Sequence, residues 1–412
     1  MSLTIQNVRA WEILDSRGNW TLACEITLSD GQRAQAQVPA GASTGRHEAV
    51  ALTASRAAAN LNGEIRAAIS GRPADLPRID RYLIEQDGTP NKSRLGANAL
   101  LGVSCALARA LAVHRAVPLW QQLRDIFTPA QPALIPLPMI NILSGGLHAG
   151  GNIEFQDFLI IPSGFPSLRP ALDAAVAIHR AARSEIESRG YRLTGVADEG
   201  GWGPLLESNE QAIEILTRTI QEAGFEGRVF IALDVASSHF YEDGVYTLRR
   251  EGRTLTASGM ADLIESWSAR YPLVSVEDGL AEDDWDGWRN LTARFGGRLQ
   301  LIGDDLFTTN PVRVRRGIAE KAANSVLVKM NQIGTLTETF EVIRMAQEAG
   351  MTAVISARSG ETEDSFLADL AVASGAGQIK IGSVTRSERL AKYNRMLDLE
   401  KDLSFSPRPW FC

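Results

Sequence analysis

Six short apolar runs recur through the later part of the chain: FIALDVAS from Phe230, LVSVEDG from Leu273, LQLIGDDL from Leu299, SVLVKMN from Ser325, TAVISARSG from Thr352 and QIKIGS from Gln378. The polar residues near their ends, Asp234, Glu277, Asp304, Lys329, Ser356 and Lys380, are separated by 43, 27, 25, 27 and 24 residues. After the first, each step has the length of one strand plus one helix, and helical stretches such as Thr335 to Gly350 and Glu363 to Ser374 fill the gaps. This predicts a parallel β/α barrel. Such barrels keep their chemistry at the carboxyl ends of the strands, so these six polar residues become the candidate site.

The chain is 412 residues long, enough for such a barrel and one smaller domain. Residues before about 60 read as strands, with alternation from Thr21 to Leu28 and a turn at Asp30-Gly31, interrupted by the glycine-rich VPAGASTG at 38 to 45. From Glu48 to about Leu123 the periodicity is helical, as in Ala97 to Ala116. Four prolines between Asp125 and Pro138 mark the linker. The expected class is α/β, with a small α+β domain over 1–128 and a barrel over 138–412.

Composition excludes several function classes. A net charge of −7 without a basic stripe argues against nucleic acid and anionic membrane as partners. Cys24, Cys105 and Cys412 lie far apart without CxxC spacing, so neither a disulfide framework nor a zinc site is expected, and the expected compartment is the cytoplasm. The first residues, MSLTIQNVRAWEILDSR, alternate where a signal peptide would be continuously apolar, and no run of about 18 apolar residues is evident.

Asp234, Glu277 and Asp304 would aim three carboxylates into one barrel mouth, where like charges must protonate or bind cations. Hard oxygen ligands without His or Cys suit Mg²⁺. Any one of them could instead cap the following helix. Asp278 and Asp305 read as supporting residues. The chain has only 6 lysines beside 36 arginines, yet Lys329 and Lys380 both fall at strand ends. Near a bound cation a lysine's pKa falls, which would let one act as a base at a carbon beside a carboxylate. Arg358-Ser359-Gly360 could hold a phosphate, and the 38–45 loop could close over a phosphate or metal. His148, Gln156-Asp157 and Asp198-Glu199-Gly200-Gly201 form a further cluster, in which Glu199 could assist the loss of a hydroxyl.

As a set these residues resemble the enolase family. LDSRGNW at 14–20, GASTG at 41–45, LGANALLGVS at 95–104, DEGG at 198–201, LDVAS at 233–237, VEDGLAEDDW at 276–285, IGDDL at 302–306, KMNQIGTLTET at 329–339, RSGETED at 358–364 and RSERLAKYN at 386–394 follow enolase order. The resemblance implies an enolase-type barrel, a small phosphorylated or phosphonylated carboxylic acid as substrate, and a homodimer or homo-octamer. It implies two Mg²⁺ per site, with Asp234, Glu277 and Asp304 as ligands of the first and Ser43 reaching the second. Lys329 would be the base, Glu199 the acid, Lys380 the partner of the substrate carboxylate, and Arg358 and Ser359 those of the phosphate. His148, Gln156 and Asp157 would occupy further substrate-binding positions.

Several positions depart from the family pattern. Ala357 stands where enolases carry histidine, Asp157 where they carry glutamate, Ala40 where VPSGAS has serine, Gly279 where EDP has proline, and Gly382-Ser383-Val384-Thr385-Arg386 replaces the GAPxR turn. The first two imply a larger pocket and weaker acid-side catalysis. The implied activity is dehydration of 2-phosphoglycerate to phosphoenolpyruvate. An enolase-like synthase of carboxyphosphonoenolpyruvate, acting on phosphonoformate and a three-carbon unit, is one alternative, and a non-catalytic enolase-fold binding protein is another.

Overall fold

A computed structural model describes residues 2–41 and 45–405. Ser43 and Cys412 lie outside the described residues. The N-terminal unit is a three-stranded antiparallel sheet of β1 (Ile5–Leu14), β2 (Trp20–Leu28) and β3 (Arg33–Gln37), with β2 in the middle. At the expected turn, Asp30 Oδ1 accepts from Gln32 N at 3.0 Å and Gly31 takes φ +87°, a backbone region that suits glycine.

The helix Ala97–Arg115 lies across this sheet. It contradicts the expectation that no membrane-length apolar stretch exists, since its hydropathy and length would let it cross a bilayer; its apolar window is 83% buried. Its apolarity has a local cause: Cys24, Val38 and the helix pack so closely that a Cβ on Gly102 would sit 3.1 Å from Cys24 Cβ.

The second unit is a closed barrel in the order β4 (Leu137–Ser144), β5 (Asp157–Ile161), β6 (Phe230–Asp234), β10 (Leu273–Glu277), β11 (Gln300–Gly303), β12 (Ser325–Val328), β13 (Thr352–Ser356) and β14 (Gly377–Gly382). All six apolar runs become barrel strands. The expectation of a wholly parallel barrel is corrected, because β5 runs antiparallel to both β4 and β6. The reason is the connection: residues 145–156 contain one turn of 3₁₀ helix, Gly146–Ala149, and no crossover helix to bring the chain back parallel. Between β6 and β10 a small sheet of β7 (Tyr241–Glu242), β8 (Val245–Leu248) and β9 (Arg253–Leu255) is inserted, which accounts for the long first step of 43 residues.

The helix Leu119–Phe127 reaches into the proline-rich segment, and Pro129, Pro132 and Pro136 lie between it and β4. Pro138 falls inside β4 itself, opposite Ile379 of β14. The two units are tied by buried polar contacts: Asp80 accepts from Ser104 and Thr337, and the Lys92 ammonium meets Glu338 at 2.8 Å.

Candidate active site

Asp234 and Glu277 end adjacent parallel strands and are register partners, so their side chains leave the barrel together. Asp304 follows β11, Lys329 follows β12, and Lys380 projects from β14 opposite Ser356. The five charged groups meet at the barrel mouth. Lys380 Nζ lies 2.7 Å from Asp234 Oδ2 and 2.9 and 2.8 Å from the two oxygens of Glu277. Lys329 Nζ pairs with Asp304 Oδ2, whose other oxygen accepts from Gln332 Nε2 at 3.0 Å.

Burial disfavours the Lys380 ammonium, but Asp234 and Glu277 more than offset this and hold its pKa well above the usual lysine range. Glu277 is pushed far up by burial and by the charge of Asp234. Asp234 would be raised by burial, yet Lys380 brings it below the usual range. Lys329, opposed by burial and supported by Asp304, is also raised. A lysine paired to a carboxylate keeps its proton, and only a cation competing for that carboxylate lowers it.

The turn after β10 presents Asp304. Asp278 adopts φ +44° and accepts from the backbone N of Asp304 at 2.9 Å and of Asp305 at 2.7 Å. Burial, reinforced by Asp304, raises Asp305 to about 7.

The second half of the mouth comes from β4, β5 and the 198–201 loop. Asp157 is completely buried in β5, and its Oδ2 receives His148 Nδ1 at 2.8 Å. His148 Nε2 lies 4.0 Å from Glu199 Oε1. Burial would lower the His148 pKa, but Asp157 and Glu199 outweigh it and raise the pKa to about 9. Glu199, which burial would raise, is lowered by His148, Arg389 and Lys380. The expected acid Glu199 thus sits beside His148, and the two share one buried, charge-coupled position at the mouth. Gln156 Nε2 donates to Asp234 Oδ2 at 3.2 Å, joining the two halves.

Arg358 is buried beneath the N-terminal unit. Its Nη1 donates to Glu48 Oε2 and to Asn331 Oδ1, both at 3.0 Å, and its Nη2 to Glu48 Oε1 at 3.2 Å. Ala40 and Gly360 exchange backbone hydrogen bonds of 2.8 and 2.9 Å, fastening the start of the glycine-rich loop to the Arg358-Ser359 turn. Glu48, Asn331, Gln332, Asn141 and Ser144 were not singled out from the sequence. Adjacency was the available signal for three of them, since Glu48 follows the glycine-rich loop and Asn331-Gln332 follow Lys329.

The cavity among these groups measures about 30 Å³, and Ala357 on its wall is buried. Ala357 contributes only a methyl group to this wall, beside Arg358 and Ser359. A roomier cavity of about 620 Å³ lies on the far side of His239, lined by Leu147, Phe240 and Tyr241.

Among the described residues, two groups have ligand atoms within 4.8 Å of one another and could hold a metal ion: Asp278, Asp304 and Asp305, and His148, Asp157 and Glu199. Of the expected ligands, Asp304 belongs to the first group, while Asp234 and Glu277 enclose the Lys380 ammonium. The donors nevertheless fit a hard cation. They are carboxylate oxygens whose mutual repulsion asks for positive charge, and beside Asp234 the Gln156 Oε1 is buried with no hydrogen-bond partner.

Comparison with known families agrees with this architecture. A family model described as the enolase N-terminal domain matches residues 5–123, and one described as the enolase C-terminal TIM barrel domain matches residues 132–407. The chain belongs to the enolase family. Its class is accordingly that of an enolase-superfamily lyase, with acidic groups able to bind metal at the barrel mouth.

Proposed function

We propose that the protein is an Mg²⁺-dependent hydro-lyase converting 2-phosphoglycerate to phosphoenolpyruvate. The observation that carries this reading is the meeting of Lys329 and Lys380 with Asp234, Glu277 and Asp304 at one mouth, facing the His148–Glu199 pair. Asp234, Glu277 and Asp304 would hold the cation, with Ser43 as a further ligand by family resemblance. When bound, Mg²⁺ supplies charge stabilisation for the electron-rich carboxylate, as enolase-superfamily sites use it.

Lys329, freed from Asp304, takes the C2 proton, and the electron pair moves into the substrate carboxylate. That pair returns to form the C2–C3 double bond as the C3–O bond breaks, and the departing hydroxyl takes a proton from the His148–Glu199 pair to leave as water. Lys380 faces the substrate carboxylate, and Arg358 and Ser359 face the phosphate. A cytoplasmic homodimer or homo-octamer remains part of this proposal.

A second reading is carried by Ala357: with no imidazole at that wall, a phosphonate-bearing acid is the alternative substrate. The deciding experiment follows the ultraviolet absorbance of purified protein with 2-phosphoglycerate and Mg²⁺, using Lys329→Ala as control. Lysine-dependent appearance of the enol phosphate supports the first reading. Absence of turnover with Mg²⁺ bound overturns it and favours the second, with phosphonoformate as the next compound.

A further inference from the structure

The hydroxyl-side half of the mouth rests on two residues of β4 that touch no expected ligand. Asn141 and Ser144 are both fully buried. Ser144 Oγ donates to Asp157 Oδ1 at 2.9 Å, and Asn141 Nδ2 donates to the same oxygen and, at 2.9 Å, to Ser144 Oγ. One carboxylate oxygen is thus saturated by β4, and the other is left for His148 Nδ1. A buried carboxylate with both oxygens engaged has little freedom to rotate, so the imidazole that it holds is fixed in direction and tautomer.

The same pair meets the loop carrying Glu199. Ser144 N donates to Trp202 O at 2.8 Å, Trp202 N donates to Ile142 O at 2.9 Å, and a Cβ on Gly201 would lie 2.5 Å from Asn141 Oδ1 and 2.9 Å from Ser144 Oγ. Both members of the His148–Glu199 pair are therefore set against the end of β4. Lys329 and its Asp304 partner are held by other contacts, through Gln332 and Thr309.

We propose that Asn141 and Ser144 are positioning residues for the elimination half of the reaction, acting through Asp157 and the Gly201 loop on His148 and Glu199. This deepens the reading given under Proposed function and rests on it. It separates two events: proton removal at C2 belongs to Lys329, and departure of the C3 hydroxyl depends on the β4 pair.

The test measures both events in one sample. C2 proton exchange of 2-phosphoglycerate with deuterated solvent reports Lys329, and phosphoenolpyruvate formation reports elimination. Ser144→Ala, which removes one oxygen atom, is expected to lower the elimination kcat about 10-fold, and Asn141→Ala with Ser144→Ala about 100-fold, the range of a displaced acid–base group. C2 exchange should stay within about 2-fold, KM should hold, and Ser144→Thr should restore elimination. A parallel fall of both rates, or no change in either variant, overturns the proposal.

The imidazole ¹⁵N and downfield proton spectrum of the substrate-free protein is the second measurement. Loss of the hydrogen-bonded His148 Nδ1 signal in Ser144→Ala supports the positioning, and an unchanged signal overturns it. Should the wild-type protein neither exchange nor eliminate, the proposed function falls, and this spectrum decides the positioning by itself.

Discussion

Glu277 holds the Lys380 ammonium with both carboxylate oxygens, at 2.9 and 2.8 Å, deep inside the barrel mouth. With Asp234 at 2.7 Å, the lysine is the cation that lets two buried acids share one site. Replacing it by a neutral side chain leaves uncompensated buried charge. Lys380→Met is therefore expected to lose about 3–5 kcal/mol of unfolding free energy in the presence of chelator. Mg²⁺ at about 100 times its Kd should return about 2.7 kcal/mol, by binding only the folded state. Urea titrations with and without Mg²⁺ check both figures, and equal stability of variant and wild type in chelator would contradict the first.

Glu48 and Arg358 join the N-terminal unit to the barrel through a two-point contact between buried side chains. In a double-mutant cycle of Glu48→Ala and Arg358→Leu, the coupling should be about 2 kcal/mol, within the range for contacting residues. Additive effects, measured by the same titrations, would mean that the pair contributes no joint stability.

Asp80 lies far in sequence from the site but sets a pH response. Burial is the main cause that raises its carboxyl to about 6 from the usual 3.8, although Thr337 and Ser104 oppose the shift. The folded state then binds the proton more tightly than the unfolded chain, so the stabilisation is complete below about pH 4 and is lost as pH rises through about 6. The shift is worth on the order of 3 kcal/mol. Asp80→Asn should lack this decline, so wild-type stability relative to the variant falls between pH 4.5 and 7.5. Chemical denaturation at the two pH values measures it, and a constant difference would refute it.

Gly360 has no room for a side chain. A Cβ there would lie 2.5 Å from both Ala40 O and Asp15 Oδ2. Gly360→Ala must displace the backbone bridge to Ala40 and should cost about 1–3 kcal/mol, as overpacking does. Thermal unfolding of this variant beside Gly63→Ala, whose Cβ meets nothing within 4 Å, isolates the effect from a general response to added bulk.

The later strands were legible because each is an apolar run between helices at near-regular spacing. β4 and β5 were not. β4 begins among prolines and contains Pro138, so it read as the end of a linker, and β5 follows a glycine-rich loop that carries no helical period. The site was legible in the same uneven way. Strand-end acids and scarce lysines stood out, whereas Asn141 and Ser144 are common residue types on an unrecognised strand.

Charge placement was also only half visible. The sequence marked Lys329, Lys380, Asp234, Glu277 and Asp304 as one cluster, but it could not assign partners within it. Nor could it show that His148, despite its burial, is raised to about 9 by Asp157 and Glu199, because that depends on the Asp157 oxygen facing its ring.

By itself, then, the sequence determined the alternation of strand and helix, the residues delivered to the strand ends, and the family pattern they make. The tertiary structure decided which charges neutralise one another. The reason is distance along the chain: Lys380 lies 103 residues from Glu277 and 146 from Asp234. Their meeting follows from barrel closure through β14 and β4 and from the register of β6 with β10, and local sequence encodes neither.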